Sequence, residues 1–208
     1  AVDYFPEKVE IDAATNLNVE YFNNYKLVSV TGGLETYTYV LVQCGTPVPD
    51  EMPEDAQVVD VPVSNFVSLS TTFLPGLAAL DLADNVVALD SLLYTSTPEI
   101  VERIEAGEIT AVSPNFELNT ELVLDAEPSI VMSNDFNLEG INQLIDAGVF
   151  TAVNRDYAEP TPLGQAEWLK YIALFYNVEA DAEALYDEIV AQYQAVVDLT
   201  AGIPEDER

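Results

Sequence analysis

The sequence predicts an α/β fold: a parallel-sheet lobe with helices on both faces, an antiparallel β extension at its N-terminus, and a long C-terminal helix. Three observations carry this. From Asn65 onward, short apolar runs alternate with segments of helical spacing, the pattern of parallel βα units. Ahead of them, residues up to about Pro62 alternate as strands do. Beyond Thr161 the spacing is helical, with Leu185, Ile189, Tyr193 and Val196 or Val197 recurring on one stripe.

The front end opens with Asn18–Phe22 and Lys26–Thr31, which flank Asn23-Asn24, a pair tolerant of positive φ, and so predict a hairpin. Glu35–Gln43 and Val58–Val63 predict two further strands, separated by the proline- and acid-rich loop Pro47–Glu54. Cys44, the only cysteine, is expected to be a buried strand end, and no intrachain disulfide can form. In the middle, strands are expected at Asn65–Leu69, Val86–Leu89, Ser129–Met132 and Val149–Val153. Helices are expected at Thr72–Leu80, Pro98–Ala106, Asn119–Ala126 and Leu138–Asp146, with Gly107 and Gly148 as stops. Thr161 can cap, and Pro162 can open, a helix to about Tyr176. A second helix spans about Asp181 to Leu199, before Gly202 and Pro204 break the pattern.

Composition narrows the function. The 208 residues include 37 acidic against 6 basic side chains, giving a net charge of −31, and no histidine. Such a chain is repelled by nucleic acid and by anionic membrane, which require a basic patch. With 49% apolar residues it can still fill a core. The absence of histidine removes Ser-His-Asp and Cys-His nucleophile systems and the common histidine metal sites. Thr31-Gly32-Gly33-Leu34 lacks the spacing of a phosphate loop. No metal or cofactor is predicted, although bare ferric iron on tyrosines and carboxylates stays open as a ligand.

What remains is a set of polar and aromatic residues at the carboxyl ends of the predicted parallel strands, where open α/β sheets place their ligands. They are Thr71, Thr72 and Phe73; Leu92 and Tyr94; Phe116; Asn134 and Asp135; and Arg155 and Tyr157. Hydroxyls, amides and rings together suit a large amphipathic ligand held by contact area. Packing in the core or at its rim is the other reading for Phe73, Tyr94 and Phe116. A guanidinium at position 155 suits a carboxylate or catecholate, the alternative being a local ion pair with Asp156 or Glu159.

Three segments carry a family resemblance. Ser68–Asp90 resembles the strand-helix-strand opening of the iron-siderophore and cobalamin periplasmic binding proteins. Leu118–Val131 is similar to that family's segment of Asn-x-Glu, short helix and Lys-Pro-Asp-Leu-Val, with Pro128-Ser129 in place of proline-aspartate. Thr161–Lys170 and the helix after it resemble the connecting-helix region. The resemblance implies an α/β ligand-binding lobe over 65–160; residues 1–64, longer than the family's usual front end, are expected from their own strand pattern to be a β-rich extension packed on it. The resemblance also implies that 161–208 holds the interlobe connecting helix, with a second lobe absent from this sequence. By the same resemblance the protein is expected to be an extracytoplasmic, monomeric, non-enzymatic solute-binding protein, periplasmic or extracellular after signal-peptide removal, with a lipid anchor as an option. It is expected to pass an iron chelate, or alternatively cobalamin or haem, to an ABC permease, and Glu121 matches the carboxylate that docks on the permease. A carboxylate-dependent α/β enzyme and an interaction domain are the expectations from other classes.

Overall fold

The computed structural model describes residues 2–32 and 35–201, so Gly33, Leu34, Gly202, Pro204 and Arg208 lie outside the described residues. Four strands form the front sheet: β1 (Leu17–Tyr21), β2 (Tyr25–Val30), β3 (Tyr37–Gln43) and β4 (Gln57–Val61), in that spatial order. β1 and β2 make the predicted hairpin, with Leu17 opposite Val30 and Tyr21 opposite Lys26. β4 departs from the expected antiparallel arrangement, because it runs parallel to β3 with Tyr39 opposite Gln57. Segment 44–56 carries the chain back to the starting end of β3, and apolar alternation reads the same for either strand direction. Cys44 is exposed rather than buried. It lies one residue beyond β3, where the Gln43 carbonyl accepts the Thr46 amide and the chain turns outward.

The second sheet is parallel throughout: β5 (Phe66–Ser68), β6 (Val86–Leu89), β7 (Thr110–Ala111), β8 (Ile130–Ser133) and β9 (Thr151–Val153), ordered β7-β6-β5-β8-β9. The chain builds outward from β5 to one side and then returns to build the other, so the order reverses between β5 and β8. Helices α1 (Leu74–Ala79), α2 (Pro98–Glu105), α3 (Thr120–Asp125) and α4 (Leu138–Asp146) connect these strands. The helix expected at Thr72–Leu80 is split, since a single 3-10 turn at Thr71–Phe73, capped by Ser70, precedes α1. β7 went unpredicted because two residues carry no alternation.

Side chains on the two faces of this sheet enter different cores. Phe66, Ile130 and Met132 pack with Leu74, Leu77 and Trp168, whereas Val67, Ala88 and Val131 pack with Val123 and Leu144. Phe66, Leu74 and Leu77 are fully buried, each contributing about 1.5–3 kcal/mol. The larger core also takes in Phe5, Val28 and Tyr39 of the front end, so one apolar interior runs across 1–64, 65–160 and the following helix.

Helix α5 (Pro162–Leu174) starts at Thr161, whose hydroxyl accepts the Gly164 amide at 3.0 Å. It anchors the N-terminal segment through buried carboxylates. Glu167 accepts the Ala13 and Ala14 amides at 2.7 Å each. Glu159, just ahead of the helix, accepts the Thr15 and Asn16 amides and the Trp168 indole N–H. Two lysines are sealed into the same region. Lys170 donates to Glu167 and Glu183, and Lys26 to the Leu174 carbonyl, Asn177 and Glu179. Burial lowers the Lys26 pKa, and the Glu179 carboxylate opposes that shift.

Helix α6 (Glu179–Thr200) buries Ala182 and Tyr186 near its start. Of the apolar stripe read along it, Leu185 packs against the main core, whereas Ile189, Tyr193, Val196 and Val197 are exposed. The helix runs past the body that its first turns pack on, so periodicity marks its apolar face without a described element to cover it.

Candidate ligand-binding face

Because every strand of the second sheet points the same way, the loops after β5, β6, β7, β8 and β9 gather on one face, and the reversal between β5 and β8 leaves a crevice there. A cavity of about 190 Å³ opens at this crevice. β6 supplies Asp90 and Ser91, β7 supplies Ser113, and β8 supplies Ser133 and Asn134; Phe116 and Leu118 close one side. Asp90 follows the last residue of β6 and accepts the Ser91 amide at 2.7 Å. Half-burial raises its pKa against the opposing effect of that hydrogen bond. Asn137 caps α4 by accepting the Gly140 amide and also lines the cavity.

Large side chains stand in solvent around the face: Tyr94 is 67% exposed, Phe116 72% and Phe136 71%. Phe116 is held there by backbone in the left-handed region, φ 58° at Asn115 and 64° at Phe116. Two consecutive non-glycine residues in that conformation are disfavoured, and such strain concentrates at functional sites. Phe136 and Tyr157 pack ring to ring with centroids 4.5 Å apart.

Arg155 is nearly buried, and its partner is Asp135 from the neighbouring β8 loop, not Asp156 or Glu159 as the sequence alone suggested. Strand adjacency explains the difference, since β8 and β9 pair and bring positions 135 and 155 together at their ends. The Tyr157 hydroxyl donates to the other oxygen of the same carboxylate. Gly32 covers the guanidinium so closely that a Cβ there would sit 2.9 Å from Nε, and its φ of 125° favours glycine as well.

A second groove, of about 260 Å³, lies beside the face between α1, α5 and α6. Thr72, Asn154 and Asp156 form its polar end, and Phe73, Trp168 and Ile189 its apolar wall. Of the sequence-predicted residues, Thr72 is exposed, Thr71 and Leu92 are half-buried, and Phe73 is 2% exposed with its ring in the main core. Phe73 therefore packs, and Leu92 contacts the same core from its edge. Asp90, Ser113 and Asn137 were missed. The strand-end rule that pointed to Leu92 applies equally to Asp90, which follows β6, whereas Ser113 follows β7, too short a strand to leave a pattern, and Asn137 carries only a helix-cap signal. Glu121 is exposed in the first turn of α3, at the same end of the lobe, behind an Asn119 cap. Among the described residues, no cluster of three or more histidine, cysteine or acidic side chains is placed to hold a metal ion. No described helix is long and apolar enough to cross a membrane.

No protein-family model matches the chain. Two uncharacterized lipoproteins of Methanocaldococcus jannaschii are similar to it. One is 26% identical over 161 residues, covering 73% of this chain and 40% of its own length; the other is 21% identical over 180 residues, covering 80% and 43%. The chain thus spans less than half the length of these relatives. Among solved structures, a siderophore-binding protein bound to ferric iron and acinetobactin superposes with a TM-score of 0.60 at 15% identity, over 86% of this chain and 56% of that one. A possible iron-binding periplasmic protein of Staphylococcus epidermidis gives 0.55 at 16%, over 69% and 54%. A periplasmic haem-binding protein of Vibrio cholerae gives 0.54 at 23%, over 68% and 51%. The architecture is that of the periplasmic binding proteins, as the resemblance of the three sequence segments implied.

Proposed function

Starting from the fold shared with periplasmic siderophore- and haem-binding proteins, we propose that this chain is the ligand-capturing lobe of an extracytoplasmic solute-binding protein that serves an ABC importer, with an iron chelate as cargo. The observation that carries the reading is the exposed set Tyr94, Phe116 and Phe136 around a polar crevice at the sheet's switch point. Leaving such rings in water has a cost that a binding surface recovers on capture. Thr71, Thr72, Asn134, Asp135 and Tyr157 would supply the hydrogen bonds around them. Neither opening is large enough to enclose a bulky ligand, since ligand sites run to roughly 300–1,000 Å³. A second lobe, on the part of the protein that this chain does not span, would close over the same face. Haem or cobalamin would occupy that face in the same way. The lipoprotein names of the two relatives support a membrane-anchored, extracytoplasmic location.

Glu121 would dock the lobe on a basic patch of the permease, as an exposed carboxylate can pair across an interface. Ligand capture is tested by titrating the full-length protein with ferric siderophores, haemin and cyanocobalamin, by calorimetry and by quenching of Trp168 emission. Saturable binding of one class is expected. Absence of heat and of quenching with every class would overturn the transport reading. For docking, Glu121→Arg should leave ligand affinity unchanged while abolishing stimulation of the permease-coupled ATPase.

A further inference from the structure

Building on that binding reading, we propose that the strand-end face selects neutral or positively charged ligands and discriminates against polyanionic ones. Each basic side chain among the described residues already has an acidic partner. Lys8 lies 2.5 Å from Asp3 on the front end, and Lys26 and Lys170 are sealed inside. Arg103 pairs with Glu108 and donates to the carbonyls of Ala83 and Val86, at the opposite end of β6 from the cavity. Arg155 alone belongs to the strand-end loops, and Asp135 holds its guanidinium while Tyr157 holds the second carboxylate oxygen. A polyanionic chelate would therefore have to displace Asp135 to find a counter-charge. Its displacement would leave a carboxylate in search of a new partner beside the incoming anion.

The cavity itself points the same way. Its polar lining residues are Ser91, Ser113, Ser133, Asn134, Asn137 and Asp90. Asp90 is hydrogen-bonded to backbone amide and meets no basic side chain. A group that donates hydrogen bonds, such as an ammonium or a primary amide, satisfies this lining, whereas a carboxylate or catecholate meets a second negative charge in a half-buried setting. The net charge of −31 adds a long-range field of the same sign, which raises the encounter rate for cations and lowers it for anions. Phe116 offers contact area to either kind of ligand, so affinity and charge preference reside in different residues.

The test uses three ferric chelates of different charge on the full-length protein at fixed ionic strength: the monocation ferrioxamine B, neutral ferrichrome and a trianionic tris-catecholate. The monocation or the neutral chelate should bind at least about tenfold tighter than the trianion. Asp90→Asn should narrow that ratio, Asp135→Asn should improve trianion binding by freeing Arg155, and Phe116→Ala should weaken whichever chelates bind by a common factor. Circular dichroism and melting of each variant separate these effects from misfolding, and the wild-type ratio stands without any variant. Trianion binding equal to or tighter than the others overturns the charge selection and leaves the transport reading intact. Binding of none of the three overturns the charge selection together with the iron-chelate cargo on which it rests.

Discussion

The side-chain amide of Gln57 pairs with the backbone of Thr151, donating to its carbonyl at 2.9 Å and accepting its amide at 3.0 Å. Two residues along, the Val153 amide donates to the Tyr39 hydroxyl at 2.8 Å. β9 is the last strand of the parallel sheet, and an open edge there would expose unpaired amides to any other strand. Here side chains from the front sheet take the place of a neighbouring strand. The front end is thus the seal on the edge of the lobe.

Gln57→Ala should leave the Thr151 amide and carbonyl without partners in a buried setting, at a cost of about 1–3 kcal/mol. Urea denaturation measures the loss. Hydrogen exchange at Thr151 should accelerate out of proportion to the global change, and an unchanged exchange rate there would show that water replaces the amide without penalty.

Particular residues show what the sequence could disclose and what it could not. Alternation and capping located β6, α4 and the Thr161 cap within a residue, because those signals are local. The direction of β4, the exposure of Cys44 and the partner of Arg155 depend on which elements become neighbours, and periodicity holds no information about that. Strand-end logic pointed to residues that gather at one end of the parallel sheet, and of the two readings open for Phe73 the structure takes the core, since a single 3-10 turn aims adjacent residues to opposite sides. Buried Glu159 and Glu167 were invisible for a different reason. A chain with 37 acids gives no local cue that two of them accept backbone amides from residues 12–16.

Glu167→Ala should be among the costliest single changes. It removes the acceptor of the Ala13 and Ala14 amides and one of the acidic partners of buried Lys170, and breaking a buried pair costs about 3–5 kcal/mol. Limited proteolysis should then cut within residues 9–16 before the rest of the domain opens. Uniform resistance across that segment would show that Glu159 holds it alone.

Acid acts in two opposed ways. Burial would raise the Glu159 pKa, but the Thr15 and Asn16 amides, the Thr15 hydroxyl and the Trp168 indole together hold it below the ordinary glutamate value. A depressed carboxyl stabilises the fold above the unfolded pKa of roughly 4.3 and loses that contribution as pH falls through the folded value. Asp90 and Asp156, raised chiefly by burial, behave the other way: their ionised forms are penalised in the fold, and protonation relieves the penalty. Glu159→Gln should therefore be less stable than wild type at pH 7, with the gap closing in acid. Asp90→Asn should be more stable at pH 7, with its advantage vanishing as pH falls. Denaturation midpoints from pH 3 to 7 give both differences, and parallel curves for Glu159→Gln and wild type would remove the role assigned to that carboxylate.

Salt should stabilise the protein strongly. With −31 net charge and the described cations already engaged, the surface repels itself at separations that the screening length governs. That length falls from about 10 Å at 0.1 M to about 3 Å at 1 M ionic strength, so most of the repulsion between exposed carboxylates disappears over this range. The buried pairs Lys26–Glu179 and Lys170–Glu167 are shielded from the solution and should weaken little. The melting temperature is therefore expected to rise steadily from 0.1 to 1 M potassium chloride, and by more than in a variant with several exposed acids of α6, such as Asp187 and Glu188, changed to lysine. Chloride salts test screening better than sulfate, which also strengthens apolar burial. A melting temperature that stays flat or falls across the chloride series would mean that exposed-charge repulsion is not a significant term in the stability of this fold.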